Sequence, residues 1–169
     1  MSSDIENLEN DDQTSELMEK WEVIRGDLKF EWLIKPNICG YIIEIDKNSA
    51  KSILNTNMDM KIDNENLIDV SFLFMAANYC AYASINEKYL VTIGVKISFL
   101  AHPKLGDVID FVATSNFEES KKREVRVVGT IKDIKIFDAV YQILILEDHV
   151  LRIKEKLTKK ATKNNDKED

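Results

Sequence analysis

Residues 67–85, LIDVSFLFMAANYCAYASI, are apolar on almost every side of a helix. A helix that is greasy all round must be buried all round, and this one is too short and too interrupted to be a membrane span. Only two polar groups stand out in it, Asp69 at its start and Asn78 in its middle. Strand-like sequence, YLVTIGVKISFLA, follows almost at once. A sheet wrapped around a central helix is the simplest way to bury it.

The 169 residues leave room for one ordinary domain with a core that needs no staples. Cys39 and Cys80 both lie in apolar runs, which reads as reduced core thiols and a cytoplasmic protein. The start, MSSDIENLENDD, has neither the basic residues nor the apolar run of a signal peptide. A formal net charge of -7 argues against a nucleic-acid partner, which would need phosphate-neutralising cations. Much of that charge is local, because Asp4, Glu6, Glu9, Asp11, Asp12, Glu16 and Glu19 face only Lys20 in the first twenty residues. The first fourteen residues and the mixed basic stretch 152–169 therefore read as solvated, disordered tails.

Between them, Leu17, Trp21 and Ile24 have helical spacing, so residues 15–25 are expected to form a short helix docked on the domain. Phe30, Trp32 and Ile34 alternate in an extended segment closed by Pro36. The domain proper is expected over 37–151. Its first strand is 39–45, then comes a short helix at 49–54 and a loop or short strand over 55–66. After the central helix, an antiparallel meander is expected at 88–101, 108–117, 125–134 and 139–146. His102-Pro103 and the turn at 104–107 separate the first two strands, a charged tip at 118–123 the next two, and a tight connection over 133–138 the last. In the third strand Val125, Val127, Gly129 and Ile131 share a side. The fold class is α+β, with the helix against one face of the sheet.

This order resembles the hot-dog fold, in which a long helix lies inside a curved antiparallel sheet and two copies pair. GYIIEIDKNSAKSIL at 40–54, the LF.AAN portion of the helix at 73–78 and KISFLAHPKLGDVI at 96–109 are similar to the effector domain of fatty-acid-synthesis repressors that sense malonyl-CoA. The chain also resembles the flagella-co-regulated hot-dog virulence proteins of campylobacters. The resemblance implies a homodimer or a tetramer of two such dimers, with an acyl-CoA or related thioester as partner, no cofactor and no membrane. Residues 1–36 are too short and too acidic for the repressors' DNA-binding module. The resemblance sets Asn78 on their ligand-contacting Asn, but Asp69 where they use an Arg to clamp the malonyl carboxylate, so a malonyl ligand is disfavoured.

Hot-dog enzymes mostly hydrolyse acyl thioesters, and a helix N-terminus suits the developing oxyanion. A carboxylate must still serve as base or nucleophile. In the phenylacetate type that acid would fall at Ala77, which cannot act. In the type resembling 4-hydroxybenzoyl-CoA thioesterases, an Asp at the helix entrance precedes an Asn-Tyr pair, a spacing kept here by Asp69 and Asn78-Tyr79. Phe72, however, replaces that branch's Gly, and Ala76 its His. Asp69 is thus either the catalytic residue or a helix cap. Asn78 must bond to protein groups or to a ligand, since an unpaired buried amide costs about 1–3 kcal/mol.

Phe72, Phe74, Met75, Tyr79 and Phe99 are core residues that could also line an acyl slot, each buried methylene contributing about 0.8 kcal/mol. Lys121, Lys122 and Arg123 form a solvated hairpin tip or meet the phosphates of CoA. His102 and His149 have no paired acid, and no metal-ligand spacing is present. Two functions follow: a non-catalytic acyl-CoA-binding or sensing protein, or an acyl-CoA thioesterase using Asp69. A scaffold that only dimerises is a third.

Overall fold

A computed structural model describes residues 2–116 and 119–165, with side chains over 12–116 and 119–163. The elements are α1 (Ser2–Arg25), α2 (Pro36–Cys39), β1 (Tyr41–Asp46), β2 (Ser49–Asn55), α3 (Val70–Ile85), β3 (Leu90–Phe99), β4 (Val108–Asn116), β5 (Lys122–Ile131), β6 (Ile134–Ile145) and α4 (Val150–Asn165). Phe117 and Glu118, where a strand end and the start of the charged tip were expected, lie outside the described residues, as do Met1 and residues 166–169.

All six strands form one antiparallel sheet in the order β1-β2-β4-β5-β6-β3, curved around α3. α3 is the buried helix that the sequence demanded. Leu73, Ala76, Ala77, Cys80, Ala81, Ala83 and Ser84 are sealed in the core. Small residues there let the sheet close on the helix, so the Cys80 thiol reaches the Ala50 carbonyl at 3.5 Å. Inward-facing sheet residues alternate with period two: Ile109, Phe111 and Ala113 on β4, Val125 and Val127 on β5, Phe137, Ala139, Tyr141 and Ile143 on β6. Gly129 belongs to this set. A Cβ there would come within 2.9 Å of the Phe111 ring.

The segment 49–54, expected as a short helix, is instead strand β2. It pairs with β1 on one side and β4 on the other. Ala50, Ser52 and Leu54 point inward in strand period, and Asn48 turns the chain with φ 58. Two ladders outweigh a weak helical preference. The expected strand start at Cys39 is the end of α2. Gly40 follows at φ 85, where a Cβ would meet the Ile53 carbonyl oxygen at 2.8 Å.

The last hairpin turns earlier than the expected connection over 133–138. Lys132 and Asp133 both take positive φ, 47 and 66, so β6 begins at Ile134. Both ends, which composition marks as disordered tails, are helical over their described parts. α4 is nonetheless exposed along almost its whole length. No helix among the described residues is long and apolar enough to cross a membrane.

Candidate functional site

Asp69 is the N-cap of α3. Its backbone is extended (φ -67, ψ 131), and its Oδ1 accepts the Ser71 amide N–H at 2.7 Å. The Ser71 hydrogen bonds hold its carboxyl below the usual carboxylate range. Its own N–H is tied to the Met60 carbonyl, and the preceding Ile68 N–H to that of Pro103. The chain that leads into the helix is thereby anchored on both sides.

Along the helix, Phe72, Met75, Asn78 and Tyr82 recur at helical spacing and are only half-buried. Asn78 accepts the Thr92 hydroxyl at 2.6 Å through Oδ1. Thr92 belongs to β3, and its N–H donates to the Tyr82 hydroxyl at 3.1 Å. Asn78 Nδ2 has no protein acceptor in any hydrogen bond of the described residues, so this amide keeps two N–H donors on a half-exposed face. Sequence reasoning singled out Asn78 but missed Thr92 and Tyr82. Thr92 interrupts an apolar strand, which was the available signal.

Tyr79 does not stand beside Asn78. One residue of helix rotates it about 100°. It is buried, stacked on Trp32 with ring centroids 4.6 Å apart, and its hydroxyl takes the Trp21 indole N–H at 3.3 Å. Burial pushes its phenol up to about 12. Phe74 packs on Tyr141, and its carbonyl accepts the Tyr141 hydroxyl at 2.9 Å. Phe99 closes β3 at the same end as the start of α3, against Phe137, and remains 37% exposed.

The expected basic tip separates into unlike parts. Lys121 is paired with Glu147 at 2.8 Å, and Lys122 is exposed at the start of β5. Arg123 is buried, donating to the Ser120 carbonyl at 2.8 Å and to Asn48 at 3.4 Å. It lies in one cross-sheet row with Ile143 and Thr92, two strands or about 10 Å from the partner of Asn78. His102 is exposed beside Pro103, while His149 Nδ1 accepts the Leu151 N–H at the start of α4. Asp69 and Phe72 thus lie at the start of α3 and Phe99 at the end of β3, while Arg123 lies level with Thr92, the partner of Asn78.

β3 is an edge strand of the sheet with no further strand of the described residues on its outer side, and Ile93 on it and Leu100 just beyond it are 51% and 56% exposed. The half-buried stripe of α3 borders this edge through the Asn78–Thr92 bond. A long unpaired apolar edge is unusual on a stable monomer.

No family model matches the chain. It is 45% identical to the crystal structure of Cj0977, a sigma28-regulated virulence protein from Campylobacter jejuni, with a TM-score of 0.76 over 79% of this chain and 94% of that one. A hypothetical thioesterase from Streptococcus pneumoniae TIGR4, solved with coenzyme A, has the same fold at 14% identity (TM-score 0.57, 64% of this chain and 86% of that one). The methylthioribose-1-phosphate isomerase of Aquifex aeolicus (strain VF5) is 27% identical over 122 residues, which are 72% of this chain. The match spans only 27% of that curated relative's length.

Proposed function

Because the chain belongs to the same hot-dog, thioesterase-like family as Cj0977, we propose that it binds an acyl thioester of coenzyme A as a homodimer and does not hydrolyse it. The observation that carries this reading is the pairing of Asn78 with a neutral hydroxyl, Thr92, on an otherwise apolar face. An amide with free N–H donors suits a thioester or amide carbonyl. It cannot take a proton from water.

The surroundings point the same way. Ala77 occupies the position at which a mid-helix acid would serve, and the Asp69 carboxylate is engaged by the first turn of its own helix. Tyr79, which the alternative hydrolase would use beside Asn78, is turned into the aromatic core. Phe72, Met75 and Phe99 offer apolar surface for an acyl chain, and the bare edge of β3 offers the seam along which a second copy would close the slot.

The test is a panel of acyl-CoAs of increasing chain length, followed by calorimetry for binding and by thiol release for turnover. Saturable binding without thiol release is expected, weakened about tenfold in Asn78→Ala. Thiol release by the wild type that disappears in Asp69→Asn would overturn the reading in favour of the hydrolase. Absence of both binding and ligand-dependent thermal stabilisation would favour a scaffold.

A further inference from the structure

A cleft of about 540 Å³ opens where three distant segments meet, 29–31, 82–90 and 149–152. Its volume lies in the range of small-molecule sites, roughly 300–1,000 Å³. In a chain of net charge -7, the lining is locally basic: Lys29, Lys88 and Arg152, with His149, face the single carboxylate of Glu31. Neither Lys29 nor Lys88 takes part in any ion pair of the described residues.

The walls are held in place. Asn86, which caps the end of α3 at φ 51, accepts the Lys29 N–H at 2.8 Å and donates to the Asp27 carbonyl at 3.0 Å, clamping residues 27–29 to the helix end. Arg152 is oriented by Asp148 at 2.6 Å and by the Tyr89 hydroxyl at 3.3 Å, which uses part of its five-donor fork. The Lys88 ammonium and the Arg152 guanidinium lie 5.2 and 5.7 Å from the Tyr89 ring centroid. Tyr82 forms the inner wall, and its hydroxyl meets Thr92, the partner of Asn78.

Cations around aromatic rings are what a phosphate ester on a planar base requires. We propose that this cleft binds a phosphorylated nucleoside, either as the charged end of the coenzyme A thioester or as a free nucleotide. The first source rests on the function proposed above. Four residues of helix, about 6 Å, separate Asn78, which would meet the thioester carbonyl, from Tyr82 in the cleft wall, a span that a pantetheine arm covers without being fully extended. The nucleotide contact thus falls to residues from three segments, while Lys121 and Arg123 of the expected tip are occupied by Glu147, Ser120 and Asn48.

The experiment is calorimetry at fixed low salt with adenosine 3′,5′-bisphosphate, octanoyl-CoA and S-octanoyl-pantetheine, on the wild type and on Lys29→Glu/Lys88→Glu. Both lysines are exposed, and Lys29→Gln/Lys88→Gln guards against a charge-reversal artefact. The bisphosphate is expected to bind the wild type and to lose about tenfold or more in affinity in the Glu variant, less in the Gln variant. If the nucleotide belongs to coenzyme A, octanoyl-CoA weakens in parallel while S-octanoyl-pantetheine is unchanged. If it is a free ligand, S-octanoyl-pantetheine does not bind and octanoyl-CoA binds no more tightly than the bisphosphate it contains, which would sink the thioester reading and leave the cleft standing. Octanoyl-CoA and bisphosphate affinities indifferent to both variants would overturn the cleft and spare the thioester reading.

Discussion

The two edges of the sheet are finished in opposite ways. At the β1 edge the chain covers itself: α1 lies along β1, Trp21 meets Tyr41 edge-on at 6.3 Å, and Phe30, Trp32 and Tyr79 complete an aromatic cluster beneath. At the β3 edge no further strand of the described residues returns, and Ile93, Val95 and Leu100 stay open to solvent. One side of α3 is thus closed in cis, and the other, which carries Asn78, is left for something in trans. A helix greasy on every side is only partly buried by its own sheet, and what remains is the candidate site.

The closed side should be the costlier to break. Trp32→Ala removes the stack on Tyr79 and the indole donor to the Cys39 thiol, and should destabilise the fold by about 3 kcal/mol in denaturant titration. It should leave the oligomeric state untouched. An unchanged midpoint would mean that this edge is covered without being held.

On the open side the effect should appear in association. Ile93→Lys places a charge on the exposed edge and should weaken self-association by about tenfold, the equivalent of about 1.4 kcal/mol, with little change in protomer stability. Sedimentation of the wild type as a monomer at high concentration would dissolve the contrast between the edges.

At the start of α3 the comparison narrows to one group. Asp69→Ala should lower the denaturant midpoint measurably, while Asp69→Asn, an equally good cap, should leave it nearly unchanged. Equal losses in the two variants would show that the charge, rather than the acceptor, matters there. The smallest effect lies on the outer sheet face, where Arg126 and Lys135 hold the Asp138 carboxyl down to about 2 from 3.8. A depressed carboxyl adds stability that is full above the unfolded value and lost as pH falls from about 4 towards 2. Wild type should therefore exceed Asp138→Asn in Tm by about 2 °C or less at neutral pH, because the pair is solvent-exposed. The gap should close by about pH 2.

Much of the fold was legible in the residues. The all-apolar run 67–85 announced a buried helix, and the alternation of Val125, Val127, Gly129 and Ile131 announced a strand with one buried face. Residues 49–54 were not legible, since Ser-Ala-Lys-Ser-Ile-Leu suits either a short helix or a strand, and the choice was made by β1 and β4 pairing on its two sides. In the site, the capping geometry of Asp69 and the alanine at position 77 could be read directly. The direction of Tyr79 could not, because Trp21 and Trp32, which capture it, are 58 and 47 positions away.

By itself, then, the sequence determined the buried helix, the antiparallel meander and the lack of an acid beside Asn78, all properties of residues close together in the chain. Only the tertiary structure decided which polar groups meet. Asn78 finds Thr92, Arg123 sinks against Ser120 and Asn48, and Lys29, Lys88 and Arg152 converge on one cleft. Periodicity reports what each residue faces locally, whereas convergence depends on how the sheet closes around the helix, and no local pattern encodes that closure.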